Sequence, residues 1–547
     1  MIHKLLEMKE KWLRFGLLAI SAGLTGLTLV FPAVGFLQWL TLIPACLFLF
    51  RFASDETVRL RTLYGYGCFF FYGYYLTVFH WFLNLYPLDF VDGMTKGAAV
   101  AVVLVAWLGL SLLQTLFGGL VFVLCGVLFR CRVARRCALL RPFLLALLWA
   151  VYEWTQTIGW WGVPWGRLPI GQSKYLVGLQ MASLLGPYFV TFLLVAVNAC
   201  AALALISLAR REKPVLRFSC ICIAAMLVFQ YGVGTLLWLL PRGENDKITV
   251  AVVQGNISSH EKWSDDSGER TQTVYAEYTR KAAAEGAEVI IWPETALPYT
   301  VTKRNGYGKF VSKLAMETNA TILVGAFSEA EEGEYNAILC FLPDGSMHDT
   351  VYAKRRLVPF GEFVPFRPFV ETVIPPLADL VLSGQLIESG KEPNVFFLEK
   401  GAIGSLICFD SIYEDLTRDS VLGGAELIAL STNDSWFTDS AALSMHNAQA
   451  QLRAIESGRY VARSANTGIS TVISDRGEVL SSLDPLVDGV LVEEVEVRSG
   501  NTVYMVIGNS FVYLSLAFLA FLVVDGIVDK KSKKNKENSK NENDLIN

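Results

Sequence analysis

Eight stretches of this sequence stay apolar for roughly the 20 residues a helix needs to cross a bilayer. They lie near 13–30, 33–50, 62–85, 97–128, 140–158, 176–208, 217–240 and 506–528. Hydrocarbon offers no partner to a bare peptide group, so each stretch is held to helix. The fourth and sixth exceed the minimum and are expected to tilt or to project from the bilayer. Residues 245–500, between the last two, have the composition of a globular protein and are long enough to bury a full core. The expected organisation is a membrane domain over 1–240 with seven helices, a soluble domain over 241–505 and an eighth membrane helix over 506–528. A basic tail, 529–547, is rich in Lys, Asn and Glu and is expected to be disordered.

Lysine and arginine orient such a chain. Lys4, Lys9 and Lys11 precede the first stretch, and Arg51, Arg59 and Arg61 follow the second. Arg130, Arg132, Arg135 and Arg136 follow the fourth, and Arg210, Arg211, Lys213 and Arg217 the sixth. With the KKSKKNK tail, all fall on one side if there are eight spans. Both termini are therefore expected in the cytoplasm and 241–505 outside. The first apolar run has no clear small-residue cleavage site and leads into a second span, so it is not read as a cleaved signal. The tryptophans of GWWGVPW (159–165) suit the membrane–water interface. Glu153, inside the fifth stretch, is either a functional intramembrane acid or a carboxylate near the helix end that faces other helices or headgroups.

The net charge of −4 gives no reason to expect a nucleic-acid partner. No phosphate-cradling glycine loop and no zinc-type Cys/His spacing occurs. Of ten cysteines, only Cys340 and Cys408 fall in the soluble domain. That excludes a disulfide framework but leaves a single Cys340–Cys408 bridge open.

Strand and helix patterns alternate through the soluble part. KITVAVVQGN (247–256), AEVIIWPET, ATILVGAFSE, YNAILCFLPDG, VYAKRRLVPFGEF, GAIGSLICFD and AELIALSTND read as strands. Residues 269–285, 307–318 and 441–459 read as helices. GISTVISDRGEVL reads as a hairpin turning at Asp475-Arg476-Gly477. Strands this continuously apolar are covered on both faces, by helices on one and a second sheet on the other. Three of their ends carry chemistry: Glu294, Lys354 and Cys408. Each alone passes for a surface acid, a surface base and a core thiol. Beside Asp410, Glu414 and Asp415, Cys408 even looks like a poor nucleophile, since nearby carboxylates raise a thiol pKa.

The words around them change that. IIWPET, KRRLVPFGEFVP and LICFDSIYED resemble the Glu, Lys and Cys motifs of the nitrilase (carbon–nitrogen hydrolase) superfamily. With the membrane stretches, VVQGNISSHEKW, STNDSWF, HNAQAQLRAIESGRYVARSANTGIS and YEWTQTIGWWGVPWGRLPIGQ, the chain is similar to apolipoprotein N-acyltransferases along nearly its whole length. The resemblance implies a polytopic α-helical membrane domain carrying an extracytoplasmic α/β domain folded as a nitrilase-like α-β-β-α sandwich. It implies a multi-pass protein of a bacterial cytoplasmic membrane. Glu294 is then the general base, Lys354 the oxyanion stabiliser and Cys408 the nucleophile, with Glu362 as a supporting acid and no metal or cofactor. Asp410 stands where the family commonly has Glu, and Thr438 where Gly is usual, so both bear on fine positioning.

The chemistry implied is ping-pong. An acyl chain passes from a phospholipid to Cys408 as a thioester, then to the α-amino group of a lipoprotein's diacylglyceryl-cysteine. Both substrates are held by the bilayer, which gives a physical reason to tie a soluble fold to membrane spans: exposing an acyl chain to water costs about 0.8 kcal/mol per CH₂. Trp263, Trp436 and Phe360 are candidates for the acyl-chain site, and 363–386 for a membrane-dipping lid or an ordinary packed loop. His260, His348 and His446 are assigned structural roles. A monomer is expected. The alternative activity is that of a membrane-anchored amidase or nitrilase-type hydrolase, which spends its thioester on water.

Overall fold

The computed structural model describes residues 10–88, 94–241, 243, 245–258, 262, 267–373 and 387–546. Lys4, Lys9, the centre of the loop after the third stretch, His260, Trp263 and the 374–386 part of the candidate lid lie outside the described residues.

Among the described residues, seven helices are long and apolar enough to cross a membrane: Lys11–Val30, Pro32–Phe52, Lys96–Phe129, Ala138–Thr155, Pro187–Arg210, Lys213–Leu239 and Ser510–Asp529. The expected count of eight is not reached on hydropathy. The third stretch forms the helix Leu60–Val78, diluted by tyrosines and glycines. At about 1.5 Å per residue it is still close to the thickness of a bilayer core. It packs antiparallel to Lys96–Phe129, with Gly67 so close that a Cβ there would sit 2.8 Å from the Gly119 carbonyl oxygen. The basic loops on either side of this pair meet at one end. Arg135 bridges to Glu56 at 2.9 Å and to Asp529 at 3.6 Å, and Arg130 Nε donates to the Ala53 carbonyl at 2.8 Å.

Two expectations need correction. Residues 176–208 are not one helix: short turns Leu176–Leu179 and Ala182–Leu185 end at Gly186, whose φ of 81° suits only glycine, and Pro187 starts a new helix. The tail expected to be disordered continues the last helix to Ile546. Lys and Glu are good helix formers, and an existing helix end removes the cost of nucleation.

Among its described residues the soluble unit has thirteen strands: β1 Lys247–Gln254, β2 Val289–Ile291, β3 Leu297–Thr300, β4 Thr321–Glu329, β5 Glu334–Phe341, β6 Met347–Ala353, β7 Phe396–Leu398, β8 Gly401–Ile407, β9 Leu427–Thr432, β10 Val461–Ala465, β11 Thr471–Ile473, β12 Val479–Ser482 and β13 Gly489–Glu496. One sheet runs β13-β1-β2-β4-β5-β6 with β3 beside β4, and the other runs β12-β11-β10-β9-β8-β7. The centre of each is parallel: β1, β2 and β4 in the first, β8, β9 and β10 in the second.

Side-chain parity explains the layers. Val250 and Val252 of β1 join Ile403, Ile407, Leu427 and Ala429 in the core between the sheets. Ala251 and Val253, one residue out of phase, face Tyr275, Val311 and Leu314 of the helices Ser267–Ala284 and Gly306–Thr318. The outer face of the second sheet, with Leu406, Ile428 and Leu430, packs under the helix Ala441–Ser457. That core is continuous with the membrane helices, so the two units are packed as one body on that side.

Candidate active site

In a parallel sheet, groups at the carboxyl ends of neighbouring strands share one edge. Here that edge is stitched across both sheets. The Ser431 hydroxyl at the end of β9 donates to the Trp292 carbonyl just past β2 at 2.8 Å. The Asn433 N–H, one residue beyond β9, donates to Glu294 Oε2 at 2.9 Å. Glu294 Oε1 accepts from Lys354 Nζ at 2.9 Å and from Asn336 Nδ2 at 2.8 Å. Lys354 Nζ also donates to Glu362 Oε1 at 3.0 Å, and Asn336 Nδ2 to that same oxygen at 2.9 Å. The Val358 N–H binds the other Glu362 oxygen. Lys354 is 2% exposed, and burial lowers its pKa less than Glu294, Glu362 and Cys408 raise it, so the ammonium stays charged.

Cys408 follows β8 at φ 47°, a left-handed conformation that costs a non-glycine residue about 1–3 kcal/mol and survives where neighbours over-determine it. Its surroundings do that. His446 Nε2 lies 3.2 Å from the Cys408 carbonyl oxygen and 3.0 Å from Ser411 Oγ. His446 Nδ1 lies 3.0 Å from Asp434 Oδ1, and Asp434 Oδ2 accepts from Arg463 Nη2 at 2.6 Å. Burial first, then the Glu294 carboxylate, push the thiol well above its ordinary pKa, against the pull of Lys354. The resting group is therefore a thiol, and chemistry there needs a proton acceptor. Cys340 lies buried on β5 in the core between the sheets. Both it and Cys408 are free, so the bridge left open by sequence is absent.

Asp410 ties two strand ends together. Its carboxylate accepts from the N–H groups of Arg356 at 2.8 Å, Arg355 at 3.2 Å and Ile407 at 3.2 Å, and from the Tyr352 hydroxyl at 2.9 Å. It thus fixes the segment after Lys354 against the turn holding Cys408. Burial raises its pKa to about 6, opposed by Lys354 and these donors.

The structure brings Glu294, Lys354, Glu362, Cys408 and Asp410 into one cluster. Phe360 sits in the turn beside Glu362 at φ 62° and is exposed. Trp436 lies half-buried in the short 3-10 turn Ser435–Phe437 next to Asp434. Thr438, where glycine was the usual residue, has φ 47° and ψ −145°, a region that favours glycine. His348 Nδ1 accepts the Thr350 N–H at 3.0 Å, a local structural bond.

Three groups, Asn336, Asn433 and Lys262, escaped sequence reasoning. Asn336 and Asn433 hold the Glu294 carboxylate. Lys262, 2% exposed, donates to the Glu294 carbonyl at 3.0 Å and to Thr295 Oγ1 at 2.6 Å. The only sequence signal for them was their place inside the quoted words, and nothing in a lone Asn or Lys marks it as buried. His446, given a structural role from sequence, holds the Cys408 turn together with Asp434 and Arg463. Among the described residues, no group of three or more His, Cys, Asp or Glu is placed to hold a metal.

Residues 249–502 match the carbon-nitrogen hydrolase family, and residues 21–200 match the apolipoprotein N-acyltransferase N-terminal domain. An apolipoprotein N-acyltransferase from Gloeobacter violaceus is 30% identical over 531 residues, covering 95% of this chain and 96% of its own. One from Chromobacterium violaceum is 30% identical over 524 residues, covering 94% of each. Among solved structures, Saccharomyces cerevisiae Nit3, of the nitrilase superfamily, aligns with 46% of this chain and 90% of its own at 18% identity and a TM-score of 0.36.

Proposed function

The chain belongs to the apolipoprotein N-acyltransferase family, and from that membership we propose that it acylates lipoproteins through a thioester on Cys408. It is a multi-pass membrane acyltransferase. The observation that carries the route is the buried Lys354 ammonium clamped between Glu294 at 2.9 Å and Glu362 at 3.0 Å.

In the first half-reaction Glu294 takes the thiol proton and the sulfur attacks the ester carbonyl of a phospholipid. The C–S bond forms as the carbonyl oxygen takes up the negative charge. Two of the three Lys354 N–H donors serve carboxylates, which leaves the third for this oxyanion. Collapse breaks the ester C–O bond, and the departing lysophospholipid oxygen recovers the proton from Glu294. In the second half-reaction the α-amino group of a diacylglyceryl-cysteine attacks the thioester. Glu294 takes an amine proton as the amide C–N bond forms and returns it to the leaving sulfur. Removing an oxyanion donor such as Lys354 is expected to cost about 100- to 1,000-fold in rate.

Residues 241–505 work on the extracytoplasmic face and both termini lie in the cytoplasm. Phe366, against Trp160, and Phe369 are both well exposed and follow Glu362 closely in the chain, an apolar surface suited to lipid. A monomer suffices for this chemistry, since the residues used above all belong to one chain.

The test is intact-protein mass spectrometry of the full-length enzyme incubated with phospholipid and no acceptor. One acyl mass should appear on Cys408, be discharged by a diacylglyceryl-peptide and be absent from Cys408→Ala. Active enzyme that never carries the adduct would overturn the route.

A further inference from the structure

Arg167 belongs to the segment between the membrane helices Ala138–Thr155 and Pro187–Arg210, yet its guanidinium is buried among residues of the catalytic unit. Nη1 donates to Glu414 Oε2 at 2.7 Å. Nη2 donates to the Ile412 carbonyl at 2.6 Å and to Gln449 Oε1 at 3.1 Å. These partners are not an arbitrary patch of the soluble unit. Ile412 ends the turn Cys408–Ile412 that holds the nucleophile. Glu414 is the first residue of the helix that follows, Glu414–Leu422. Gln449 is one turn along from His446, the residue that holds the Cys408 carbonyl.

The membrane side of this link is equally fixed. The Leu168 N–H donates to Glu153 Oε1 at 3.0 Å, and the Thr191 hydroxyl donates to the other oxygen of that carboxylate. Glu153 is thus a holder of the segment carrying Arg167. Gln449 Nε2 and the Tyr413 hydroxyl reach back to the carbonyls of Pro164 and Gly162 at 3.2 and 3.1 Å. The Tyr188 hydroxyl, on the helix Pro187–Arg210, donates to Glu414 as well.

We propose that Arg167 is a positioning residue for the reaction, holding the Cys408 turn in register with Glu294 and Lys354 from the membrane side. A strained nucleophile needs restraint on every side. β8 restrains Cys408 before the turn, Asp410 within it, His446 beneath it, and Arg167 at its far end. Only a planar fork makes the parallel contacts to a carboxylate, a carbonyl and an amide at once, so lysine is not equivalent. Placement errors near 1 Å cost on the order of 100-fold in rate. The proposal rests on Cys408 being the acylated residue.

The test uses full-length purified enzyme in detergent with a defined diacyl phospholipid in mixed micelles, reading the rate of Cys408 acylation and the thermal midpoint. Two variants are compared: Arg167→Lys, and the double variant Arg167→Met with Glu414→Leu, which leaves no unpaired buried charge. Both should acylate about 10- to 100-fold more slowly at saturating lipid, with the half-saturating lipid concentration nearly unchanged. The double variant should keep a midpoint near that of the wild type. A merely structural pair would give back the rate along with the fold, so wild-type acylation by either folded variant overturns the proposal. If the wild-type enzyme itself forms no adduct on Cys408, the thioester route fails instead.

Discussion

Lys262 carries a charge question into the middle of the site. Among the described residues, its buried ammonium is received by a carbonyl and a hydroxyl, and burial lowers its pKa to about 7, partly opposed by Glu294. An unfolded lysine titrates near 10.4. Between about pH 7 and pH 10 the unfolded chain therefore holds the extra proton, and stability rises with pH across that window. Below about pH 7 both states are protonated and the contribution is flat. Lys262→Met should abolish this slope: the wild-type midpoint should climb relative to the variant from pH 7 to pH 9, and parallel midpoint profiles would refute it. None of this was legible in the sequence, where Lys262 is one charge in SSHEKW. Glu294, Lys354 and Cys408 were legible because each closes an apolar run in a recognisable word. The role of Asp410 was hidden for a different reason: apart from the Tyr352 hydroxyl, its partners are backbone N–H groups of Arg355, Arg356 and Ile407, and main-chain donors leave no trace in a residue string.

At the scale of elements, the site depends on how closely strands approach. Gly325 of β4 lies under the Glu294 turn, where a Cβ would fall 2.1 Å from the Pro293 carbonyl oxygen and 2.8 Å from the Glu294 Cα. Both are backbone atoms, so the turn itself must move. Gly325→Ala should lower the acylation rate at least about 10-fold by shifting Glu294, for a stability loss of about 1–3 kcal/mol. Acylation kinetics beside a denaturation midpoint separate the two, and an unchanged rate would show that the turn yields elsewhere. The helices at 267–284 and 306–318 were readable to within a few residues because each buries a periodic stripe, whereas 441–457, buried on nearly every side, was readable from its helix-forming composition. β13 was not. It is an edge strand paired antiparallel to β1, and Glu493, Glu494 and Glu496 break its apolar pattern as charges on an edge do. The break at Gly186-Pro187 was hidden because both flanks are apolar, and hydropathy alone does not see a left-handed glycine.

The whole molecule is polarised along one axis. At one end Arg130, Arg135, Glu56 and Asp529 join two connections of the membrane unit to its last helix, and at the other Arg167 enters the catalytic unit. Contacts at the first end fix how two neighbouring helices run. Residues 53–58, before the helix Leu60–Val78, touch Arg130 and Arg135, after the helix Lys96–Phe129, so the chain goes out along one and back along the other. The excess of arginine at this end is the basis for the cytoplasmic orientation proposed above. Cys137 offers a native reporter: it is free, exposed and directly follows Arg132–Arg136. A membrane-impermeant maleimide should modify Cys137 in inside-out vesicles and not in right-side-out spheroplasts, read by peptide mass spectrometry. Modification in spheroplasts would invert the molecule and put the catalytic unit in the cytoplasm. It would then face the inner leaflet, away from lipoproteins that have been exported, so this one labelling pattern bears on the substrate as much as on the topology.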